Sequence, residues 1–349
     1  MSIPGTTKVG VSIVAYTDRK WGSGVLLDTE DVSIYFRLIY YDTLSMLRNS
    51  LLWASTNPFL AERLPKARFV RRATKRFMPG EEFRDVIKEA ERLRTKGIAS
   101  TTTLLGENNN SLKEADAVLG HYLTDLRLID ELGLDMEVSV KPTQLGLDFG
   151  VEEARSRLLE LAEATDSIVW LDMEASEYVD RTLDIFMSVK EKRHNVGLCV
   201  QSYLKRTPDD VARIASYDCS IRIVKGAYNE PESVAFSNKK DVDQAFEDLT
   251  ATLLRGRAQG GVGRVVLGTH DPSMIGAAKR IASDLGLKED QYEFAMLFGI
   301  QRREQLRLAS DGHKVRVLIS YGSAWFPWYM RRLAERPANL WFVAKQLLP

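Results

Sequence analysis

The chain of 349 residues carries 48 Lys and Arg against 48 Asp and Glu, so its formal net charge at pH 7 is zero. Hydrophobic residues make up 44% of the sequence, which is typical of a globular protein and excludes a disordered chain. Neutrality argues against a general nucleic-acid binder. The sequence contains no apolar run long enough for a membrane span and no secretory signal pattern. With two cysteines, Cys199 and Cys219, a disulfide scaffold is excluded, and we expect a cytoplasmic protein.

The N-terminal region lacks the pattern of the rest of the chain. Residues 1–33 contain glycines and no clear periodicity, and we expect them to be mobile. A helical arm is predicted at residues 34–97, with helices at 34–54, 58–77 and 81–96. Residues 61–76 hold seven basic side chains and one acidic side chain. Two interpretations stay open for this run: a solvated helix face, or a patch that docks on an acidic membrane surface.

Residues 98–349 alternate between short apolar runs and longer amphipathic stretches. Strands are predicted at residues 100–105, 136–140, 168–171, 196–201, 221–224, 265–268, 292–298 and 315–320. Helices are predicted where charged residues recur at helical spacing, at residues 152–163, 178–190, 208–216, 242–259, 272–285 and 302–310. This alternation predicts parallel strands joined by right-handed crossovers, and eight such units match a (β/α)8 TIM-like barrel. A doubly wound open sheet is the alternative. Because the strand runs are nearly all apolar, we expect both of their faces to be covered.

Polar residues follow most of the predicted strands, where a barrel carries its functional loops. The polar side chains at these strand ends include Glu107, Lys141, Asp172, Gln201, Arg222, Lys225, His270, Arg331 and Arg332. Several convergent cations predict an anionic ligand such as a carboxylate or a phosphate. Each residue alone also has a structural interpretation, for example a helix-start acid at Asp172 or a capping histidine at His270. It is their coincidence at successive strand ends that favours a functional site.

Common cofactor fingerprints are absent from the sequence. No glycine-rich dinucleotide motif follows a strand, and no phosphate-binding loop, zinc-spaced Cys/His set or nucleophile elbow is present. A nucleotide cofactor would therefore be held in another way, and no metal site is predicted.

The motifs at the strand ends, taken in order, resemble those of the proline dehydrogenase family. They are FMPGE at 77–81, LGE at 105–107, VSVK at 138–141, LDME at 171–174, QSYLKR at 201–206, IRIVKGAY at 221–228, GTHD at 268–271, YEFAMLFG at 292–299 and RRLAE at 331–335. The resemblance covers residues 77–339. It implies a distorted (β/α)8 barrel that holds FAD noncovalently, oxidises L-proline to 1-pyrroline-5-carboxylate and passes the electrons to a membrane quinone.

The resemblance also implies a role for individual residues. Lys141, Arg331 and Arg332 are expected to bind the substrate carboxylate. Asp172, beside the substrate, and Arg222, near the reactive N5 of the flavin, are the candidate catalytic residues. Leu297 and Tyr228 are expected to form walls of the ring pocket. The residues implied to contact FAD are Met173, Gln201, Arg222, Val224, Lys225, Gly226, Ala227, Thr269 and His270.

Three positions depart from the family pattern. Leu318 and Trp328 stand where tyrosines are common, and Ala295 stands where a glutamine is usual. The ring pocket is therefore expected to be larger or less polar, and a related cyclic imino acid such as hydroxyproline is the alternative substrate. We also expect a single-function enzyme at the inner face of the membrane, whose product passes to a separate pyrroline-5-carboxylate dehydrogenase.

Two other classes of function compete with this hypothesis. A metal-dependent barrel hydrolase or isomerase would use carboxylates and imidazole as ligands, and its candidate ligands are Asp172, Glu174, Glu293 and His270. A non-enzymatic module would dock on membranes through residues 61–76.

Overall fold

The computed structural model describes residues 74–106, 109–214, 218–326 and 329–330. One compact unit spans Arg71–Trp325. The predicted mobile segment and the predicted helix at 34–54 lie outside the described residues, as do residues 58–73 of the second predicted helix and most of the basic run at 61–76. The predicted domain boundaries therefore stay predictions.

Eight parallel strands form a closed barrel in which each strand pairs with its neighbours in chain order. The strands are β1 Ala99–Leu104, β2 Met136–Val140, β3 Val169–Leu171, β4 Val196–Gln201, β5 Ser220–Val224, β6 Arg264–Gly268, β7 Glu293–Leu297 and β8 Lys314–Tyr321. Pairing of β1 with β8 closes the sheet. The predicted barrel is confirmed, with each strand displaced by at most one residue at either end, and the sheet is not open.

Helices alternate with the strands on the outside of the barrel. They are α1 Phe83–Arg94, α2 Leu112–Glu131, α3 Val151–Glu163, α4 Val179–Lys190, α5 Thr207–Ile214, α6 Lys239–Ala258, α7 Pro272–Asp284 and α8 Arg302–Ser310. Helix α2 was not delimited from the sequence, although Ser111 caps it by accepting a hydrogen bond from the Glu114 backbone N–H at 3.3 Å. None of the helices in the described ranges is both long and apolar enough to cross a membrane.

The two faces of the strands differ in polarity, although their apolar runs predicted two apolar faces. On β2, Met136, Val138 and Val140 pack in the hydrophobic core. The alternate residue Glu137 reaches Arg264 on β6, and therefore points into the barrel. The outer faces are apolar as expected, whereas the inner faces carry buried charges.

Four of these charges meet near the amino ends of β2, β6, β7 and β8, and we name them the floor cluster: Glu137, Arg264, Glu293 and Arg316. Arg264 lies 2.6 Å from Glu293, which also accepts from the Nε of Arg316 at 2.9 Å. Glu137 pairs with both arginines. Two cations thus face two buried anions, and the exposed carboxylate of Asp135 adds a third anion 2.9 Å from Arg316. A buried charge is tolerated where it is paired in this way. Burial lowers the pKa of each arginine, but the two glutamates, together with Asp135 in the case of Arg316, outweigh it and raise both pKa values.

A second buried carboxyl lies outside the barrel, between α2 and β8. Asp125 is 2% exposed and accepts a hydrogen bond from the hydroxyl of Tyr321. The Nε2 of His121 lies 3.6 Å from the same carboxylate oxygen. Burial raises the pKa of Asp125 to about 7, although the Tyr321 hydrogen bond works in the other direction.

The raised pKa of Asp125 predicts a pH dependence of stability. Between about pH 4 and pH 7 the folded chain holds a proton that the unfolded chain has lost, so the free energy of unfolding falls as pH rises through this window. Asp125→Asn removes this dependence and is expected to be more stable than the unsubstituted chain above pH 7, by on the order of 2–4 kcal/mol. Denaturant unfolding from pH 4 to pH 9 measures it.

The control is Asp130→Asn, an exposed carboxyl on the same helix, for which a change within about 0.5 kcal/mol is expected. If the free energy of unfolding of Asp125→Asn depends on pH as strongly as that of the unsubstituted chain, the charge of Asp125 does not control stability in this range.

Candidate active site

Three charged side chains from three strands meet at the carboxyl end of the barrel. Arg222 on β5 donates from its Nη2 to Asp172, which directly follows β3. The second carboxylate oxygen of Asp172 lies 3.9 Å from the Nζ of Lys141, the residue after β2. The structure therefore brings together the predicted residues Lys141, Asp172 and Arg222.

Ser139 completes this group, and sequence reasoning did not single it out. Its Oγ donates to Asp172 at 2.9 Å and accepts from Arg222 at 2.7 Å. Its position two residues before Lys141 places both side chains on one face of β2, which is the signal that identifies it. We name Ser139, Lys141, Asp172 and Arg222 the mouth cluster.

The mouth cluster carries a surplus positive charge. Arg222 is 7% exposed. Burial lowers the pKa of its guanidinium, but the acidic groups Cys199 and Asp172 outweigh burial and raise it above its usual value. Arg222 and Lys141 supply two cations against the one carboxylate of Asp172. The cluster therefore suits an anionic group of a ligand.

A tyrosine outside the barrel holds the backbone of Ser139 in place. The pairing of β1 with β2 ends at Thr102 and Val138. Beyond this point the fully buried hydroxyl of Tyr122, on α2, accepts from the N–H of Leu104 at 2.9 Å and donates to the carbonyl of Ser139 at 3.0 Å. The hydroxyl thus bridges two strands where their own hydrogen bonds stop. No pattern in the sequence of α2 marks this tyrosine.

Gln201, the last residue of β4, presents an unsatisfied acceptor. Its Nε2 donates to the carbonyl of Met173 at 3.1 Å. Its Oε1 is buried and has no hydrogen-bond partner among the described residues. An unsatisfied buried acceptor costs about 1–3 kcal/mol, so this oxygen indicates a ligand that carries an N–H or O–H donor.

The segment after β5 is held in place by ion pairs and by close packing. Lys225 lies between Asp243 on α6 and Asp271 at the start of α7, with its Nζ 3.0 Å from the latter. Burial raises the pKa of both carboxyls, but Lys225, supported by Lys239, outweighs burial and lowers the pKa of both. Gly226 has a φ of +113°, and a Cβ there would stand 2.2 Å from the ring of Tyr203. Only glycine fits this turn.

The neighbouring predicted contacts Val224 and Ala227 flank this turn, partly buried and exposed respectively. Thr269 and His270 follow β6 and tie it to β7. The N–H of Thr269 donates to the carbonyl of Ala295 at 3.2 Å. The Nε2 of His270 accepts from the N–H of Leu297 at 2.7 Å, so the proton of the neutral imidazole is on Nδ1.

An apolar wall faces the mouth cluster from β7 and β8. Leu297 and Leu318 are register partners on these strands. Both are partly buried, as is Ala295, whereas Met296 between them is buried. The side chains of Ala295, Leu297 and Leu318 are thus partly accessible. Tyr228 is partly buried and accepts at its carbonyl from the hydroxyl of Tyr203 at 3.4 Å.

The four candidate metal ligands do not converge. Glu293 belongs to the floor cluster, and Glu174 holds Thr143 through bonds of 2.8 and 2.9 Å. Asp172 binds Ser139 and Arg222 instead. Within the described ranges, no group of three or more His, Cys, Asp and Glu side chains is arranged to hold a metal ion.

Other predicted residues lie outside the described residues. They are Glu107, Trp328, Arg331 and Arg332. The roles assigned to them stay predictions.

Comparison with known proteins identifies the family. The model of the proline dehydrogenase family matches residues 86–345. Proline dehydrogenase 1 of Bacillus subtilis is 35% identical over 87% of this chain and 99% of its own length. The proline dehydrogenase of Deinococcus radiodurans is 34% identical over 78% of this chain and 89% of its own length. The chain belongs to the proline dehydrogenase family.

Solved structures share the fold of this family member. Proline utilization A from Bdellovibrio bacteriovorus, inactivated by N-propargylglycine, superposes with a TM-score of 0.72 at 20% identity. The match covers 84% of this chain and 36% of that chain. The Escherichia coli bifunctional protein PutA is 24% identical, and the match covers 26% of its length. The resemblance inferred from the strand-end motifs is confirmed.

Loss of the carboxylate at position 172 is expected to destabilise the mouth. Asp172→Asn keeps an acceptor for Ser139 but leaves the buried guanidinium of Arg222 without its anion. The free energy of unfolding is expected to fall by about 3 kcal/mol, at the lower end of the usual cost of breaking a buried pair. Chemical denaturation measures the change.

Asp184→Asn is the matched control, because Asp184 pairs with Arg213 at 3.0 Å on the exposed surface. Its expected cost is within about 1 kcal/mol. Equal costs for the two substitutions would contradict the pairing inside the barrel.

Proposed function

We propose that this chain is a FAD-dependent proline dehydrogenase that oxidises L-proline to 1-pyrroline-5-carboxylate. The observation that carries the proposal is the surplus of fixed cations in the mouth cluster, in a chain of this family. Gln201, which donates to the carbonyl of the residue after Asp172, adds a buried amide oxygen without a partner among the described residues. An amino acid presents a carboxylate to the cations, and a flavin ring presents N–H donors to the amide.

Lys141 binds the substrate carboxylate together with Arg331 and Arg332. The charge of Asp172 is shared between Arg222 and Lys141, so the lysine, at 3.9 Å, keeps a capacity for a second anion. A carboxylate bound to several fixed cations has little freedom to rotate. The ring carbon of the substrate that is oxidised is therefore held in one orientation for the reaction.

The residues that would hold FAD surround the mouth cluster. Gln201 fits the group best, since its Oε1 lacks a partner among the described residues and would accept from the flavin ring. Arg222 would lie near N5. Further contacts are proposed for Met173, Val224, Lys225, Gly226, Ala227, Thr269 and His270. When bound, FAD supplies the two-electron acceptor that oxidation of an amine to an imine requires.

The chain's own charges also prepare the substrate amine, which must lose its proton before the ring is oxidised. Arg222 and Lys141 disfavour a positive charge next to them, and therefore lower the pKa of the amine. Asp172 is held by Ser139 and Arg222, so its carboxylate stays in one orientation beside the substrate. Leu297 and Tyr228 would border the ring.

A related cyclic imino acid such as 4-hydroxyproline is the second candidate substrate. Leu318 and Ala295 replace larger residues common in the family, and both are partly buried at the mouth. The space that they leave would admit a substituent on the ring. The carboxylate anchors are the same for both substrates.

The electron acceptor proposed is a membrane quinone, reached from the inner face of the membrane through the basic run at residues 61–76. The product would pass to a separate pyrroline-5-carboxylate dehydrogenase.

The spectrum of the purified protein tests the proposed reaction. A flavin absorption band is expected, and anaerobic addition of L-proline is expected to bleach it because the bound flavin takes up two electrons. Repeating the titration with 4-hydroxyproline decides between the two substrates. If 4-hydroxyproline does not bleach the flavin, Leu318 and Ala295 do not broaden the substrate specificity. A colourless protein whose activity depends on an added divalent metal would overturn the proposal.

The carboxylate assignment predicts the effect of removing single cations. Lys141→Met, Arg331→Met and Arg332→Met are each expected to raise the KM for proline about tenfold or more, because a charged hydrogen bond contributes about 1.5–3 kcal/mol. Steady-state kinetics measures it. Lys113→Met, which removes an exposed lysine on α2, is the control with unchanged KM. Unchanged proline saturation in the three variants would show that the carboxylate binds elsewhere.

A further inference from the structure

One aromatic side chain contacts both charged clusters inside the barrel. Trp170, in the middle of β3, is 1% exposed. Its indole Nε1 donates to Glu137 of the floor cluster at 2.8 Å. The Cζ of Arg222, in the mouth cluster, lies over its ring at 4.9 Å from the centroid. The Cζ of Arg264 lies 5.6 Å from the same centroid.

The barrel leaves room for this ring at a specific position. Gly197, the register partner of Trp170 on β4, also faces the interior. A Cβ at Gly197 would stand 2.7 Å from the Trp170 ring, closer than real contacts allow. The absence of a side chain on β4 is therefore a condition for the position of the indole.

The hydrogen bonds of the mouth cluster do not by themselves orient Arg222. Ser139 and Asp172 both bind the same nitrogen, Nη2. A guanidinium held at one nitrogen can still pivot about it, and the thiol of Cys199 is a weak partner. A ring under the Cζ restricts that pivot, because the attraction of a cation to an aromatic face requires the cation to remain over the ring.

The indole is in turn fixed by its own hydrogen bond. Glu137 accepts from Trp170 while its charge is balanced by Arg264 and Arg316. The chain of contacts therefore runs from the floor cluster through Trp170 to Arg222.

We propose that Trp170 is a positioning residue that orients the Arg222 guanidinium toward the flavin. The inference rests on the proposed function, since it takes the flavin as the group that Arg222 meets. The positive charge of Arg222 then lies beside the ring system whose net charge becomes negative when the flavin is reduced to its anionic form. Trp170 should therefore favour the reduced form over the oxidised form without touching the cofactor.

The experiment compares Trp170→Leu, which keeps an apolar side chain but removes the aromatic face, with Trp170→Phe, which keeps an aromatic face. Each is made in the unsubstituted chain and in Arg222→Met. The full chain is studied as purified with its flavin and again after removal of the flavin. Phe186→Leu, on α4 outside the barrel, is the control for loss of a buried aromatic side chain.

The flavin-free chain tests the contact itself through a double-mutant cycle on unfolding. Trp170→Leu and Arg222→Met are expected to be non-additive by about tenfold in the unfolding equilibrium constant, which corresponds to about 1.4 kcal/mol. Trp170→Phe is expected to lower the free energy of unfolding less than Trp170→Leu does. Additive effects would overturn the inference, because they would make Trp170 a space-filling residue alone.

The flavin-bound chain tests the consequence. A tenfold loss of preference for reduced flavin in Trp170→Leu lowers the midpoint potential by about 30 mV for two electrons. In the Arg222→Met background the same substitution is expected to change the potential by no measurable amount. Phe186→Leu lowers stability but leaves the potential unchanged. An equal fall of potential in both backgrounds would contradict a role through Arg222.

Failure of the proposed function gives a different result. If the unsubstituted chain binds no flavin, the proposed function is wrong and so is the flavin-directed part of the inference, while the double-mutant cycle still decides whether Trp170 holds Arg222.

Discussion

The ion pair between Arg222 and Asp172 is the interaction on which the architecture of the site depends. A guanidinium that is 7% exposed must be matched by an anion and by hydrogen-bond acceptors, because an unpaired charge in the interior is strongly destabilising. Its acceptors, Asp172 and Ser139, come from other strands. Strands β2, β3 and β5 must therefore reach the same level of the barrel before the charge of Arg222 can be buried. The site therefore depends on the packing of these three strands against one another.

The two charged clusters lie toward opposite ends of the barrel and differ in their balance of charge. The floor cluster pairs two arginines with two glutamates near the amino ends of the strands, and its charge is balanced. The mouth cluster, at the carboxyl ends, has two cations and one carboxylate. In barrels of this type the first end serves stability and the second end serves ligands. The surplus cation among these four residues is consistent with that division, because it suits an anionic group of a ligand.

Local patterns in the sequence correctly predicted the strands of the barrel. The apolar alternation placed all eight strands, since the outer face of each strand must be apolar to pack against a helix. Lys141 and Asp172 were found because each directly follows a strand. Buried charges such as Glu137 and Arg316 escaped the same reasoning, because a single polar residue inside an apolar run gives no indication of the partner that it meets on another strand.

The same limit explains the missed residues of the site. Tyr122 bridges two strands from a helix, and Trp170 contacts residues on β2, β5 and β6. These contacts join positions far apart in the chain, so they arise only when the barrel closes.

The sequence by itself determined the barrel, the family and the set of charged residues at the strand ends, because periodicity and motifs are local properties of the chain. Only the tertiary structure decided which charges pair, that the amide oxygen of Gln201 has no partner among the described residues, and which aromatic ring lies beneath Arg222. The physical reason is that pairing and desolvation depend on distances across the barrel, which are set by strand closure and not by the spacing of residues in the sequence.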